Sequence, residues 1–328
     1  MQDQRLLYKH RLQFNIFSLE LRADDERIIA AITEWIDNGI ARHHESENSK
    51  PRVNLVLQFF ANADHPDFRD RIPEQPTATF EDIEFYYADN RTVLIIDEQT
   101  VIDVDCRNRI ASAYISEEHV DSPWIIAHRI FYLPILEILR DVDAYYVHAG
   151  CVCRGRECVL LCGGSGHGKS TTTYALVKSG FAYMSDDAVF VRKDDNDLEI
   201  FSFPEKIKLD AKSCSFFPEL SDHVVSKGKA EIALEDTGIE SVCVSGKPRA
   251  FVLLEIGNSE KGKITAISKS EALLGLIRQS ISMTSPDGIG KHLDILKQLC
   301  ETARNYRLTL GKDMSEVPGL IEGILRRD

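Results

Sequence analysis

Long apolar runs are missing from this 328-residue sequence. A membrane-spanning helix needs about 20 consecutive apolar residues, whereas runs such as residues 250–254 have only the length of a strand. Low-complexity tracts and internal repeats are also missing, which excludes fibrous and repeat architectures. The first residues form no apolar stretch typical of a secretion signal, and we therefore expect a cytoplasmic protein.

Positive charge is in short supply. The chain has 39 Lys and Arg residues against 52 Asp and Glu residues, a formal net charge of −13. A surface of this sign repels nucleic acids and anionic membranes. We expect neither as a partner, and the charge favours small-molecule ligands or a neutral to basic protein partner.

Paired C-x₂-C spacings are absent from the group of cysteines formed by Cys151, Cys153, Cys158 and Cys162. Structural zinc sites commonly use such pairs. We interpret the group as two strands joined by a turn at residues 154–157, with the thiols as small core residues that stay reduced. No zinc site is predicted.

The first part of the chain, residues 1–120, has the pattern of a small α+β region whose role the sequence does not reveal. Alternating or continuous apolar residues predict strands at 12–21, 53–60, 80–87 and 92–104, and a helical period predicts a helix at 27–40. A polar linker is predicted at 43–51.

Residues 121–328 have the pattern of an α/β domain with a mixed sheet. Strands and helices alternate here, starting with a helix at 124–139 and a strand at 144–152. The later predictions are strands at 157–162, 181–185, 188–192, 198–203, 250–256 and 306–310, and helices at 169–179, 270–280, 289–305 and 317–326.

A glycine-rich stretch joins the strand at 157–162 to the helix that follows, and it matches the phosphate-binding motif G-x-x-x-x-G-K-[ST]. Glycines let backbone N–H groups close around phosphates. Lys169 would neutralise charge on the outer phosphates, and Ser170 would ligate Mg²⁺ beside the positive end of the helix. The predicted nucleotide-binding residues are Gly163, Gly164, Ser165, Gly166, His167, Gly168, Lys169, Ser170 and Thr171.

Two neighbouring features narrow the function of this loop. Asp186 and Asp187 end the next predicted strand, where a carboxylate can meet a metal ion bound with the nucleotide. His148 lies on the strand before the loop. Taken alone, the acidic pair fits a turn or a helix cap, and the histidine fits a core position with satisfied hydrogen bonds.

In combination, Val147-His-Ala-Gly-Cys-Val152, the glycine loop and Ser185-Asp-Asp187 resemble the catalytic core of the HPr kinase/phosphorylase family, which belongs with the phosphoenolpyruvate-carboxykinase-like P-loop kinases. The stretch Phe203-Pro-Glu-Lys-Ile-Lys208 and the helical C-terminal part resemble HPr-kinase-like proteins of bacterial biosynthetic clusters. The resemblance covers residues 145–310 and is strong over about the first 45 of them.

This resemblance implies an ATP-dependent kinase that transfers the γ-phosphoryl group to a serine hydroxyl. Asp187 would act as the general base, His148 would stand beside the reacting phosphate, and Asp186 would face Mg²⁺. The family carries a second metal-binding Glu in an L-E-[IV]-R-G-x-G-like stretch, which this sequence lacks. Glu205 is the carboxylate that comes nearest to matching it, and it is the third metal ligand that the resemblance implies. The expected cofactors are ATP and Mg²⁺, and a homo-oligomer is left open.

Alternative functions remain at this stage. The acceptor is a peptide or protein serine in the leading hypothesis and the hydroxyl of a free small molecule in the second. A third possibility is a nucleotide-gated binding protein without transfer. Gly228 and Gly246 are interpreted either as hinges of a lid that brings cations to the phosphates or as parts of ordinary polar loops.

Overall fold

The computed structural model describes most of the chain as two compact units. The first unit takes in most of residues 6–144 and the second most of residues 145–326. The predicted domain boundary at residues 120 and 121 stays a prediction, while the packing divides the chain between Ala144 and Tyr145. The described residues are 6–14, 17–39, 53–68, 71–88, 90–194, 197–203, 206–220, 228–232, 237, 241–280 and 286–326.

The first unit contains an eight-stranded mixed sheet with the order β1-β2-β3-β8-β7-β6-β5-β4. The strand β3 pairs in parallel with β2 and with β8, and the other pairs are antiparallel. The strands are β1 Tyr8–Gln13, β2 Phe17–Ala23, β3 Val53–Ala61, β4 Ala78–Phe80, β5 Ile83–Ala88, β6 Arg91–Ile96, β7 Thr100–Asp105 and β8 Ile110–Ile115.

Three strand predictions in this unit were wrong as single elements. Residues 92–104 form the hairpin of β6 and β7, residues 80–87 run from the end of β4 into β5, and residues 12–21 are divided between β1 and β2. In the β6–β7 turn, Asp97 has φ 48° and Glu98 has φ 66°, both in the left-handed region. Only glycine adopts this region without steric cost, so a turn without glycine gives a weak sequence signal.

Helical segments of the first unit flank its strands in the sequence. They are α1 Glu26–Gly39, α2 Glu117–Val120, α3 Pro123–Ile125, a π-helical turn at Ile126–Phe131 and α4 Tyr132–Asp141. The predicted helices at 27–40 and 124–139 are confirmed over their described residues. No helix in the described part of the chain combines the length and the apolar character needed to cross a membrane.

The second unit is built on a nine-stranded mixed sheet, with β12-β10-β11-β17-β14-β13-β9 along one path and β19 and β18 beyond β17. A separate ribbon pairs β15 with β16. The strands are β9 Ala144–Val147, β10 Gly150–Arg154, β11 Glu157–Cys162, β12 Ala182–Ser185, β13 Val189–Asp194, β14 Asp197–Phe201, β15 Ile207–Asp210, β16 Lys229–Ile232, β17 Ser245–Ile256, β18 Lys263–Ala266 and β19 Arg304–Leu310.

Helices cover both faces of this sheet. They are α5 Lys169–Lys178, α6 Ala211–Cys214, α7 Lys269–Ser280, α8 Pro286–Thr302 and α9 Val317–Leu325. Along β11, Val159 and Leu161 join the core that contains residues of α5 and α9, while Cys158 and Leu160 join the core that contains residues of α7 and α8. A strand buried on both faces is apolar at successive positions, which explains the run Cys158–Cys162.

The predicted strand at 144–152 was also wrong as a single element. It divides into β9 and β10, with His148 and Ala149 between them. The strand β9 borders β13 at one end of the sheet, whereas β10 pairs with β11 and β12. The break places His148 where the chain passes between two parts of the sheet.

Candidate nucleotide-binding site

The glycine loop lies between the end of β11 and the start of α5, as the sequence predicts. Gly166 has φ 75° and Gly168 has φ 84°, so both occupy the left-handed region that favours glycine. A Cβ atom on Gly168 would lie 2.7 Å from Leu310 Cδ1. Glycine is therefore required at the last position before the helix, where the first N–H groups of α5 have no partner within the helix.

Lys169 folds back over this loop. Its Nζ donates a hydrogen bond of 2.8 Å to the carbonyl oxygen of Gly163, and only 8% of the residue is exposed. Burial lowers the pKa of Lys169, and the negative charges of Asp187 and Asp186 act against that shift. The lysine thus presents a partly desolvated positive charge between the loop and the acidic pair.

Helix α5 packs closely against β10 at Gly150. A Cβ atom at this position would lie 2.5 Å from Thr173 Oγ1 and 3.7 Å from the Cα atom of Asp186. The missing side chain lets the helix approach the strand and lets the end of β12 approach both. The loop and the acidic pair are therefore neighbours.

Asp186 and Asp187 have opposite environments although they are adjacent in the chain. Asp186 is 2% exposed, and its carboxylate accepts hydrogen bonds from Tyr183 Oη at 3.2 Å and from the backbone N–H of Lys208 at 3.1 Å. The side chain of Asp187 is 55% exposed. Its backbone is fixed by a hydrogen bond of 3.2 Å from its N–H to Ser185 Oγ. One carboxylate is thus anchored and the other is open to a ligand.

His148 lies against the open carboxylate. Its Nδ1 is 3.2 Å from Asp187 Oδ1 and 3.4 Å from Tyr146 Oη, and its side chain is 30% exposed. A carboxylate only accepts hydrogen bonds, so we assign the proton of the neutral ring to Nδ1. Burial lowers the pKa of His148, and the charge of Asp187 opposes this shift. At neutral pH the contact is therefore a hydrogen bond from an uncharged imidazole.

Mg²⁺ prefers oxygen ligands. Ser170, in the first turn of α5, and Asp186, directly after β12, carry such oxygens and stay the predicted ligands. Thr171 differs from Ser170, because its hydroxyl is 2.6 Å from Ser213 Oγ and is already engaged. Glu205 lies outside the described residues.

Some residues at the site were not singled out from the sequence. Tyr183 and Lys208 hold Asp186, and the charge of Lys229 at the start of β16 lowers the pKa of both His148 and Lys169. Lys229 follows Gly228, which was interpreted either as a hinge of a lid that brings cations to the phosphates or as part of a polar loop. The contacts of Tyr183 and Lys208 have no sequence signal, because they depend on the path of the chain.

No family model matches the chain, and no curated protein matches it. Among solved structures, the chain is similar to the HPr(Ser) kinase/phosphatase from Coxiella burnetii, with 15% sequence identity and a TM-score of 0.30. The match covers 55% of this chain and 93% of that chain. A TM-score this low carries no argument for fold or function, so the family resemblance seen in the sequence stays a hypothesis.

The lowered pKa of His148 predicts a stability change with pH. Its pKa is below the ordinary value of 6.5 in the folded chain, so the unfolded chain binds more protons as the pH falls through this range. The contribution of His148 to the free energy of unfolding is complete above pH 6.5 and is lost as the pH falls through the pKa of His148 in the folded chain. We expect the melting temperature of the wild type to fall more on acidification than that of His148→Gln. Equal falls in the melting temperatures of the two proteins between about pH 7.5 and 5 would contradict the lowered pKa of His148.

Proposed function

We propose that the chain is an ATP-dependent kinase that transfers the γ-phosphoryl group to a hydroxyl. The observation that carries this proposal is the environment of Asp187, an exposed carboxylate held 3.2 Å from His148 Nδ1 and next to the charge of Lys169. A protein that only binds nucleotide needs metal ligands, and Asp186 could serve that purpose. A second carboxylate open to solvent suits a base directed at an acceptor.

The nucleotide would be bound by the loop and the start of α5. Backbone N–H groups at the helix N-terminus and the charge of Lys169 attract the phosphates. Ser170 and Asp186 would hold Mg²⁺, which neutralises charge on the phosphates when bound. Lys229 adds a further positive charge on the side of the β15–β16 ribbon.

Transfer requires one base and correct alignment. The acceptor oxygen forms a bond to the γ-phosphorus while the bond from that phosphorus to the β–γ bridging oxygen breaks, and ADP leaves. Asp187 takes the proton of the acceptor hydroxyl. His148 donates to Asp187 through Nδ1 and so orients the carboxylate. Phosphoryl transfer depends mainly on positioning and charge stabilisation, and these residues supply both.

The proposed acceptor is a serine of a peptide or protein. Support for this choice is the family resemblance of residues 145–310, since the residues that would recognise an acceptor form no motif. The net charge of −13 argues against a nucleic-acid acceptor and is compatible with a neutral to basic peptide.

The test measures binding and transfer separately. Calorimetry should detect ATP binding that depends on Mg²⁺, and γ-labelled ATP should label a serine in a library of neutral and basic peptides, with a serine-to-alanine library as the control. Binding without transfer to peptides, proteins or small hydroxyl compounds would favour the nucleotide-gated binding protein. Absence of Mg²⁺-dependent binding would refute the kinase.

Replacement of His148 is predicted to affect transfer more than stability. The side chain is partly exposed, so His148→Ala should leave little cavity. Asp187 loses its donor, and we expect transfer to fall by about 10–100-fold, the range typical of a lost positioning contact. Thermal melting and a transfer assay on the same preparation measure the two effects.

His292→Ala is the matched control. Its ring is 2% exposed and stacks on Tyr145 with 4.9 Å between ring centroids. A core histidine should lose stability when truncated, while the molecules that remain folded transfer phosphate normally. If His148→Ala behaves like His292→Ala, then His148 is a core residue and has no role at the site.

A further inference from the structure

A compact group of thiols lies on the face of the second sheet that packs against α7 and α8. Cys151 and Cys153 are two residues apart on β10, and Cys158 is opposite Cys153 on β11. The Sγ atoms of these three residues all lie within 4.8 Å of one another, and the Cys153 and Cys158 sulfurs are 3.2 Å apart. Each residue is at most 1% exposed.

A fourth thiol reaches this group from a distant part of the sequence. Cys243 precedes β17, and its backbone N–H donates a hydrogen bond of 2.7 Å to the carbonyl of Tyr183. Its side chain packs against the core that contains the other three thiols, and its Sγ donates a hydrogen bond of 3.3 Å to the carbonyl oxygen of Ser245. Unlike the other three residues, Cys243 is only partly buried. Cys243 therefore borders the core that holds the other three thiols.

Gly246 makes room for this thiol group. A Cβ atom at this position would lie 2.5 Å from Cys158 Sγ and 2.6 Å from the carbonyl oxygen of Arg156. Both interpretations of Gly246, as a hinge and as part of a polar loop, were wrong, because the residue lies within β17 and pairs with Ile200 of β14. Glycine serves here to let the chain pass close to the sulfur of Cys158.

The spacing of the sulfurs suits a metal ion. Zn²⁺ binds thiolates at about 2.3 Å in a tetrahedron, which puts the sulfurs roughly 3.8 Å apart. The separations in the described group, from 3.2 Å to at most 4.8 Å among the first three thiols, bracket this value. Small movements of the side chains would bring them to the tetrahedral spacing.

We propose that Cys151, Cys153, Cys158 and Cys243 form a binding site for a thiophilic divalent metal ion, with Zn²⁺ as the expected occupant. With the Cys243 side chain turned from the Ser245 carbonyl toward the other three thiols, four protein ligands would complete a tetrahedron and leave no position for water or substrate, so the site would be structural. The thiols lose their protons when the metal binds. The positive charge of Arg156 acts on Cys158 and offsets part of the negative charge of the thiolates.

The proposed site would join the β10–β11 hairpin to the segment that enters β17. The same hairpin leads directly into the glycine loop, so the metal would stabilise the framework of the nucleotide site without taking part in its chemistry. The sequence missed the site because three ligands have C-x-C-x₄-C spacing and the fourth is Cys243. This proposal is independent of the kinase activity and goes beyond it.

Metal content and thiol reactivity test the proposal on the full chain. Protein prepared under reducing conditions with added zinc should contain one Zn²⁺ per chain by elemental analysis. The metal-free chain titrated with Co²⁺ should develop a thiolate-to-cobalt charge-transfer band and the visible bands of a tetrahedral ion. Cys243, the partly exposed member of the group, should resist a thiol reagent until a chelator is added, and the chelator should lower the melting temperature.

Cysteine variants complete the experiment. Cys243→Ser and Cys153→Ser should lose the metal, whereas Cys300→Ser, which removes a buried thiol outside the group, should keep it. Because Cys243 is partly exposed, its variant remains useful if Cys153→Ser does not fold. The proposal would be overturned if the wild type bound neither Zn²⁺ nor Co²⁺. It would also be overturned if Cys243→Ser bound these ions as well as the wild type does. A Cys153–Cys158 disulfide in the reduced preparation would also overturn it.

Discussion

Lys169→Ala is expected to reduce phosphoryl transfer to background. The substitution removes the buried positive charge beside the loop and its hydrogen bond to Gly163. Loss of one preorganised donor to developing charge costs about 10²–10³ in rate, and Lys169 also supplies a full charge to the bound phosphates. Steady-state transfer and ATP affinity should both be measured, since we expect both to fall.

Lys178→Ala is the matched control for this variant. Lys178 ends the same helix and pairs with Glu219 at the surface, so its removal should leave transfer unchanged. Lys169→Met retains the length of the side chain without its charge and separates the loss of charge from the loss of packing. Normal transfer by folded Lys169→Ala or Lys169→Met would refute the phosphate-binding role of the loop.

Asp187→Asn is expected to separate binding from chemistry. The side chain keeps its shape and can still accept a hydrogen bond from His148 Nδ1, so the fold should persist. The amide cannot take a proton from the acceptor, and we expect single-turnover transfer to fall by about 10²–10⁴. The dissociation constant for ATP with Mg²⁺ should change little.

Asp197→Asn provides a carboxylate control outside the site. Asp197 begins β14 and pairs with Lys247, so its amide variant should transfer phosphate at the normal rate. Equal losses of transfer and ATP binding in Asp187→Asn would show that Asp187 acts mainly as a metal ligand. Full transfer by Asp187→Asn would exclude a base at this position.

The parts of the site that the sequence predicts are those in which contiguous residues determine the chemistry. A strand, a glycine loop and a helix must follow one another to expose the first amides of the helix, and Lys169 stands at a fixed place in that order. The contact of Asp187 with His148 depends on the break between β9 and β10. An apolar run whose two parts pair with different strands has the same sequence pattern as a run that forms one strand, so the break could not be predicted.

The errors in the fold have similar physical causes. Strand composition indicates burial but does not reveal a tight turn formed by residues such as Asp97 and Glu98, whose positive φ angles are rare for non-glycine residues. Convergence of distant segments is also invisible to local periodicity. Cys243 packs against the core that contains Cys158, and Lys208 reaches Asp186, only because the strands between them are arranged in a particular order.

The close approach of α5 to β10 at Gly150 has a consequence for ligand affinity. No side chain from this position separates the helix from the strand, and the Cα atom of Asp186 lies near the same point. The distance between α5, which follows the glycine loop, and the acidic pair is therefore fixed when the chain folds. The binding site is therefore preorganised, and the loop would lose little conformational entropy when a nucleotide binds.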